Sequence, residues 1–319
     1  MIYSRIAGTG GYLPDRVITN TDLEAVFDTS DEWIRLRTGV QERHRAGPDE
    51  SASDLALIAG QRAIAAAGID PDDIDLIVVA TSTSDALFPS CACHLQAKLG
   101  ITGCGALDVT AACSGFIYAL AVADSFIRSD AAGNVLVVGT DVLSRFLNPA
   151  DRATGVIFGD GAGALVLSRN KEPGVLSTHL HADGKDGDTL GVVSSIRDGR
   201  VHGFPYLTMD GNAVFKQAVK RMEEVSREAL AHNSLKVGDI DWLIPHQANK
   251  RIIFSVCDRL DFDPAKAVIT LDKHGNTTAA SIPLALDQAI RDGRIRRGNM
   301  LLMCAFGSGF TWSSAVLRY

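Results

Sequence analysis

The chain has 319 residues, of which 46% are hydrophobic and 22% charged, enough to bury the core of one or two domains. Its formal net charge of −7 argues against a nucleic-acid-binding protein. The apolar runs fall short of the roughly 20 residues that cross a bilayer, and the N-terminus lacks the pattern of a signal peptide. We therefore expect a cytoplasmic protein without membrane contacts.

In chain order, Met1–Ile6 predicts a strand and Ser51–Ala67 predicts a helix. Small residues on one face of that helix suit close packing between sheets. They are Ala56, Ala59, Gly60, Ala63 and Ala67. A strand at Asp75–Val79 follows, and Ile117–Ile127 predicts a second helix.

The later part of the chain repeats the earlier part. The paired segments are Asp75–Val79 with Asp241–Ile244, Gly133–Val138 with Gly298–Met303, and Gly163–Ser168 with Ser314–Arg318. Each half reads as strand–helix–strand–helix–strand–strand, which indicates a layered α/β fold with largely parallel central strands. We place the halves at residues 1–170 and 212–319. Residues 171–211, rich in Gly, Asp and His, are expected to connect them and line a substrate site.

Cys113 follows the first-half segment Leu107–Val109 and precedes the predicted helix Ile117–Ile127. Unpaired N–H groups and the dipole at a helix start stabilise an anion, so this position favours the nucleophilic thiolate. The alternative is an inert buried cysteine, which is the commoner use of the residue.

His246 and Asn276 lie in the second half, after strand-like segments, where open α/β sheets place their sites. Asn276 is separated from Cys113 by nearly the repeat distance. His246 could remove the thiol proton, and Asn276 could donate a hydrogen bond to a developing oxyanion or enolate. Taken singly, each could be structural. Papain-like proteases also use Cys, His and Asn, but their sequence signature around the cysteine is absent here.

Metal binding is not expected. The six cysteines are scattered and predict free thiols, and Cys91-x-Cys93 lacks the spacing of a zinc knuckle. His179-x-His181 would place two imidazoles on one strand face, although a surface or interface role is more common for such a pair.

Several longer motifs resemble the β-ketoacyl-acyl-carrier-protein synthase III family, and the resemblance covers the whole chain. The motifs are Ala-Ala-Cys113-Ser-Gly-Phe, Pro-His246-Gln-Ala-Asn-Lys-Arg-Ile, His-Gly-Asn276-Thr-Thr-Ala-Ala-Ser, Phe306-Gly-Ser-Gly-Phe-Thr-Trp312, Asp28–Ile34, Arg37–Gly39 and Phe158–Ala164. The resemblance implies a thiolase-like α-β-α-β-α fold built from two duplicated halves, and a homodimer.

It also implies the initiating condensation of type II fatty acid synthesis. Cys113 would take an acyl group from a short acyl-coenzyme A, with acetyl-coenzyme A as the expected primer. His246 and Asn276 would stabilise the enolate formed when malonyl-acyl-carrier protein loses CO₂, so no cofactor is required. The alternatives are a related acyl-coenzyme-A-dependent enzyme of specialised metabolism with another acceptor, and a non-catalytic module that binds carrier protein.

The resemblance assigns further residues to the site. The oxyanion hole would use the backbone N–H groups of Cys113 and Ser308, where the family often has Gly or Ala. Coenzyme A would contact Thr29, Trp33, Arg37, Arg152, Gly211, Phe215 and Asn249. The acyl pocket would involve Phe158, Leu190, Leu207, Phe306 and the Phe88 of a partner subunit. Segment 142–146 departs from common forms, which leaves the primer preference open.

Carrier proteins are acidic while this chain is net negative, so docking requires a local basic patch. We expect it on two neighbouring segments, with Arg251 as the leading contact, although a solvated helix face is the alternative reading. Its residues are Lys216, Lys220, Arg221, Lys250 and Arg251.

Overall fold

The computed structural model describes residues 2–319. The first half contains β1 (Tyr3–Tyr12), β2 (Arg16–Thr19), α1 (Asn20–Glu24), α2 (Asp31–Thr38), β3 (Glu42–Arg45), α3 (Ala52–Ala67), β4 (Leu76–Ala80), α4 (Cys91–Leu99), β5 (Gly105–Val109), α5 (Gly115–Arg128), β6 (Asn134–Asp141), α6 (Arg152–Gly155) and β7 (Gly161–Asn170). The remainder contains β8 (Val175–Ala182), β9 (Leu190–Gly191), β10 (Ser194–Arg197), β11 (Arg200–Gly203), β12 (Thr208–Met209), α7 (Gly211–His232), β13 (Trp242–Pro245), α8 (Lys250–Leu260), α9 (Leu271–His274), α10 (Ser281–Arg291), β14 (Met300–Gly307) and β15 (Thr311–Arg318).

Two sheets of matching order form the framework. The first runs β1-β7-β6-β4-β5 and the second β8-β15-β14-β13. In the first sheet, β5 pairs with β4 in parallel at the edge. In the second sheet, the corresponding position beside β13 holds only a single parallel bridge, between Leu243 and Ala267. The predicted parallel pairing holds for β4 with β5 and β6, and for β13 with β14. The other pairs in both sheets are antiparallel, because β6–β7 and β14–β15 are joined without a crossover helix packed on the sheet.

The helices complete five layers, as the resemblance to the synthase III family implied. Helices α3 and α4 cover the outer face of the first sheet, α5 and α10 lie between the sheets, and α7 and α8 cover the second. The small-residue face of α3 packs on β1 from outside, so its predicted place between sheets is wrong. The approach is close: a Cβ on Gly10 would lie 2.3 Å from the carbonyl oxygen of Ala59.

The inner helices explain why the middle layer is so apolar. Phe116, Ile117 and Leu120 of α5 and Ile282 and Leu286 of α10 are at most 1% exposed. A helix covered on both sides must be hydrophobic around most of its circumference. None of the helices within residues 2–319 has both the length and the apolar character of a membrane span.

The duplication extends to polar contacts at the strand starts. Asp75 Oδ2 accepts the N–H of Gly133 at 2.7 Å, and Asp241 Oδ2 accepts the N–H of Met300 at 2.7 Å. Each carboxylate thus caps the strand that pairs beside its own. This shared contact accounts for the two repeated aspartates in the sequence.

Residues 171–211, predicted to be a connection, divide into two parts. β8 forms the edge strand of the second sheet, where it pairs with β15. The remainder contains the short β9–β12 pair and an exposed hairpin of β10 and β11. The second sheet therefore begins before residue 212.

Candidate active site

Cys113 lies in a single 3-10 turn, Ala112–Ser114, between β5 and α5. The sequence predicted that Cys113 lies on the first turn of the helix, but the residue precedes that turn, since α5 starts at Gly115. Ala112 has a φ of 47°, a conformation that costs energy for a residue with a Cβ. Ser114 Oγ donates to the carbonyl of Thr311 at 3.0 Å, so β15 of the other half holds the turn in place.

The end of β14 packs directly against this turn. A Cβ on Gly307 would lie 2.8 Å from the backbone nitrogen of Cys113 and 3.0 Å from that of Ser114. Such contacts are shorter than van der Waals distance, so the position requires glycine. The second half thus approaches the nucleophile through backbone rather than through side chains.

Burial controls the protonation of the thiol. Cys113 is 8% exposed, and burial raises the pKa of its thiol to about 12, with the Asp141 carboxylate acting in the same direction. The sequence predicted a resting thiolate. Desolvation outweighs the helix start, and the resting site holds a neutral thiol.

His246 follows β13 and is also buried. Its N–H donates to the carbonyl of Cys304 at 2.8 Å, which extends the pairing of β13 with β14. The side chain of the next residue, Gln247, donates to the carbonyls of Pro245 and Val268 and fixes the loop. Burial lowers the pKa of the His246 imidazole to about 3, so the ring is neutral at physiological pH.

The Ser281 hydroxyl decides which nitrogen of the His246 ring carries the proton. Ser281 Oγ lies 2.7 Å from His246 Nδ1 and accepts the N–H of Gln247 at 3.3 Å. When the hydroxyl donates to Nδ1, the proton is on Nε2, which then becomes a donor. When it accepts from Nδ1, Nε2 becomes a proton acceptor.

Asn276 follows α9 in a tightly bound loop. Its N–H donates to the carbonyl of Ile157 at 2.9 Å, and its own carbonyl accepts the N–H of Gly159 at 3.0 Å. Its side-chain Oδ1 accepts the N–H of Thr278 at 2.9 Å. With the oxygen occupied in this way, the amide Nδ2 remains as the donor.

Cys113, His246 and Asn276 line one narrow cavity of about 120 Å³. A wider cavity of about 530 Å³ also reaches Cys113 and shares Phe158 and Leu190 with the first. The thiol therefore lies where the two cavities meet. This geometry suits a substrate that enters through one cavity and places its acyl group in the other.

Ser308 occupies the turn after Gly307. The positive φ of this turn, 137°, falls on Gly309 and not on Ser308, so a side chain is tolerated. No acceptor within residues 2–319 takes the backbone N–H of Ser308. That N–H remains available for the predicted oxyanion hole.

The residues predicted for coenzyme A form two groups. Gly211, Phe215 and Asn249 line the narrow cavity. Trp33 lines neither cavity. Its ring lies with Arg152, whose guanidinium carbon is 4.6 Å from the ring centroid, and with Arg37, at 5.9 Å. A flat base that stacks on the face of Trp33 covered by Arg152 would have to displace the Arg152 guanidinium.

The side chains of Thr29 and Asn249 differ in how their polar atoms are satisfied. Thr29 has a buried Oγ1 without a partner in residues 2–319. The Asn249 side chain accepts the N–H of Arg251 at 2.8 Å and donates to the carbonyl of Arg37 at 3.1 Å. It therefore caps α8 as well as lining the cavity.

The predicted acyl-pocket residues are distributed over both cavities. Phe158 and Leu190 line both of them, Leu207 lines only the wider cavity, and Phe306 lines only the narrow one. Phe88 is 84% exposed and lines neither in its own chain. Segment 142–146 supplies Leu143 and Phe146 to the wider cavity, so its unusual sequence lies at the acyl site.

The predicted docking residues lie on α7 and α8, which pack together. Arg251 lies 5.3 Å from the ring centroid of Phe215, a lining residue of the narrow cavity. Lys220 and Arg221 both pair with Glu224, and Arg221 lies over Trp312. Lys250 lies over Phe254, while Lys216 is exposed.

Sequence reasoning missed Asp141, at the end of β6. Its buried carboxylate accepts hydrogen bonds from Ser82 N–H at 2.8 Å, Thr83 Oγ1 at 3.0 Å and the Thr278 hydroxyl. It joins the wall of the wider cavity to the Asn276 loop. A charged residue ending an apolar strand could have signalled this role.

No group of three or more metal-binding side chains within residues 2–319 could hold an ion. His179 and His181 instead share Glu228 of α7, at 3.3 and 2.6 Å. The pair thus holds α7 against β8.

Comparison with known proteins identifies the family of the chain. Residues 107–184 match the model of 3-oxoacyl-[acyl-carrier-protein] synthase III, and residues 230–319 match the model of its C-terminal part. The β-ketoacyl-[acyl-carrier-protein] synthase III of Xanthomonas campestris pv. campestris (strain ATCC 33913) is 57% identical, over 100% of this chain and 99% of that protein. The enzyme of that name from Xylella fastidiosa (strain Temecula1) is 56% identical, with the same coverage.

Solved structures extend the likeness to three dimensions. The crystal structure of 3-oxoacyl-[acyl-carrier-protein] synthase III from Aquifex aeolicus VF5 has a TM-score of 0.94 and 45% identity, covering 99% of this chain and 100% of that one. The priming β-ketosynthase of the R1128 polyketide pathway has a TM-score of 0.94 and 37% identity, covering 99% and 96%. The chain belongs to the β-ketoacyl-[acyl-carrier-protein] synthase III family.

Proposed function

We propose that this acyltransferase performs the initiating condensation of type II fatty acid synthesis, with Cys113 as nucleophile and His246 and Asn276 as hydrogen-bond donors. The observation that carries the proposal is the single cavity in which the thiol of one half meets the imidazole and carboxamide of the other. The names of the relatives support the activity and the carrier-protein substrate. The geometry supports the roles of the residues.

The first step is acyl transfer from a short acyl-coenzyme A, with acetyl-coenzyme A as the expected primer. The neutral His246 takes the thiol proton on Nε2 while Ser281 Oγ accepts from Nδ1–H. Cys113 Sγ attacks the thioester carbonyl, and the oxyanion is held by the N–H groups of Cys113 and Ser308. The bond to the coenzyme A sulfur breaks, and that sulfur leaves with the proton from His246.

The second step is decarboxylative condensation. Between the steps the His246 ring exchanges its proton with water from Nδ1 to Nε2, and the Ser281 hydroxyl then donates to Nδ1. His246 Nε2–H and Asn276 Nδ2 donate to the thioester carbonyl of malonyl-acyl-carrier protein, which stabilises the enolate that forms as CO₂ leaves. The enolate carbon attacks the acyl-Cys113 carbonyl, the bond from that carbonyl to the Cys113 sulfur breaks, and the released thiolate takes a proton from water. Both substrates arrive as thioesters, so the chain's own residues suffice.

Carrier-protein docking uses the basic side chains of α7 and α8. Arg251 is best placed, because it contacts Phe215 at the cavity wall and the residue is exposed. Arg221 contributes less, since Glu224 and Trp312 already engage it.

The acting unit is a homodimer in which Phe88 inserts into the partner. Phe88 and its neighbour Leu87 are 84% and 78% exposed, an apolar tip that a monomer would leave in water. Phe88→Ser should shift sedimentation toward monomer. A variant that stays dimeric and keeps its preference for acyl groups would contradict this role.

The central test is intact-protein mass spectrometry after exposure to acyl-coenzyme A thioesters, with and without malonyl-acyl-carrier protein. The proposal requires an acyl adduct on Cys113 that disappears with release of CO₂ when malonyl-acyl-carrier protein is added. An adduct that persists would indicate an enzyme with another acceptor. Absence of any adduct would indicate a non-catalytic module.

A further inference from the structure

The hydroxyl of Ser308 has no part in the proposed reaction, which uses only the backbone N–H of this residue. That hydroxyl donates to the carbonyl oxygen of Leu190, in β9. A glycine or alanine in the same turn could not make this contact. The turn that holds the oxyanion is thus joined to the segment that contains Leu190.

Leu190 is a wall shared by both cavities. Its side chain is 8% exposed and lines the narrow and the wider cavity beside Cys113. It pairs across β9 and β12 with Met209, which lines the narrow cavity, while the neighbouring Leu207 lines the wider one. A movement of β9 would therefore change the space available to an acyl group on Cys113.

The segment carrying β9 is attached to the body of the protein at few places. Its hairpin, β10 and β11, is exposed along its whole length. Backbone bonds join Asp183 to Phe310, and Leu207 N–H to the Phe146 carbonyl at 2.7 Å. The Ser308 hydroxyl adds an attachment at β9 itself, between these two points.

We infer that the Ser308 hydroxyl is a specificity determinant: it fixes Leu190 against the oxyanion turn and so limits the size of acyl group that Cys113 accepts. Without it, the partly buried Leu190 carbonyl loses its donor and β9 can move outward, which enlarges the acyl site. Ser308 thus acts on acyl size through Leu190, separately from its backbone. The inference rests on the proposed acylation of Cys113.

The test is a competition between equimolar acetyl- and hexanoyl-coenzyme A, read as the ratio of the two adducts by intact mass. Ser308→Ala should raise the hexanoyl-to-acetyl ratio about fivefold, in line with the loss of one hydrogen bond. Ser308→Thr keeps a hydroxyl and should stay near the wild-type ratio. Thr208→Val, the matched control, removes a hydroxyl bonded to Gly191 in the same segment and should change the ratio less than about twofold.

A Ser308→Ala ratio equal to wild type, or an equal shift in Thr208→Val, would overturn the inference. Hydrogen exchange of peptides covering residues 184–192 gives a readout independent of activity. Exchange there should be faster in Ser308→Ala than in Thr208→Val. If no thioester acylates Cys113, the proposed function fails, and unchanged exchange in Ser308→Ala then rejects the Leu190 contact as well.

Discussion

The two halves share one architecture but differ in the chemistry placed on it. In each, a 3-10 turn precedes the inner helix and begins with a residue at positive φ: Ala112, at 47°, before Cys113, and Thr278, at 51°, before Ala279. The structural counterpart of Cys113 is therefore Ala279. Asn276 precedes the second turn, so the near-equivalence inferred from repeat spacing is wrong by three residues.

Each turn is held by a strand of the opposite half. A Cβ on Gly139 of β6 would lie 2.3 Å from the Ala279 carbonyl oxygen, just as Gly307 of β14 approaches Cys113. The buried titratable groups differ: the first half carries the carboxyl groups of Asp141 and Asp160, and the second carries the neutral imidazoles of His246 and His274. Duplication thus supplied a scaffold whose matching loops could diverge into a nucleophile on one side and hydrogen-bond donors on the other.

Cys113→Ala tests the largest difference between the halves, which is that the first half alone carries the nucleophile. Because the nucleophile is confined to the first half, acyl adducts should fall below detection for every acyl-coenzyme A, measured by intact mass. Cys93→Ala, a cysteine outside both cavities, should retain the adduct. An adduct on Cys113→Ala would break the assignment.

Asn276→Ala tests the donor side alone. Acylation by acyl-coenzyme A should survive, while condensation with malonyl-acyl-carrier protein should slow by roughly 10²–10³-fold, as for loss of one oxyanion donor. Single-turnover assays of pre-acylated protein separate the two steps. Condensation at the wild-type rate would remove Asn276 from the mechanism.

Arg251→Glu tests whether docking belongs to the second half. The KM for malonyl-acyl-carrier protein should rise about tenfold, and the effect should shrink as salt is added. The acyl-coenzyme A half-reaction is measured in parallel. Lys266→Glu makes the same change of charge sign beyond the far end of α8 and should leave the KM unchanged. Equal loss in both half-reactions would contradict a docking role.

The buried histidines of the second half predict that the free energy of unfolding falls at acid pH. Burial lowers the pKa of His274 to about 4, whereas the unfolded chain binds this proton near pH 6.5. The unfolded state therefore holds more protons in that window, and stability is lost as pH falls from about 6.5 to about 4, by up to about 3 kcal/mol. Burial of Asp141 and Asp160 raises their pKa values and acts in the opposite sense.

His274→Gln should reduce the loss of stability at acid pH, and the loss that remains should come from His246. Thermal unfolding between pH 8 and pH 4.5 measures it, with His202→Gln on the exposed hairpin as control. A variant that follows the wild-type curve would show that His274 does not carry the effect.

Local sequence patterns determined much of this protein. Periodicity placed the start of α3 within one residue of its observed position, and repeated apolar strands predicted two related halves in a layered α/β fold. The motifs around Cys113, His246 and Asn276 singled out three residues that do line one cavity. Helix positions, repeated strands and motifs can be predicted because they depend on the order of side chains along the chain.

Only the tertiary structure decided the electrostatics and the walls of the site. The Cys113 thiol is neutral because residues of both halves bury it. Helix α3 packs on the outer face of the first sheet because the glycines of β1 allow its backbone to approach closely. The contacts of Asp141, Ser281 and Ser308 join residues from 35 to 137 positions apart. Such contacts arise when separate elements pack, and no local pattern encodes them.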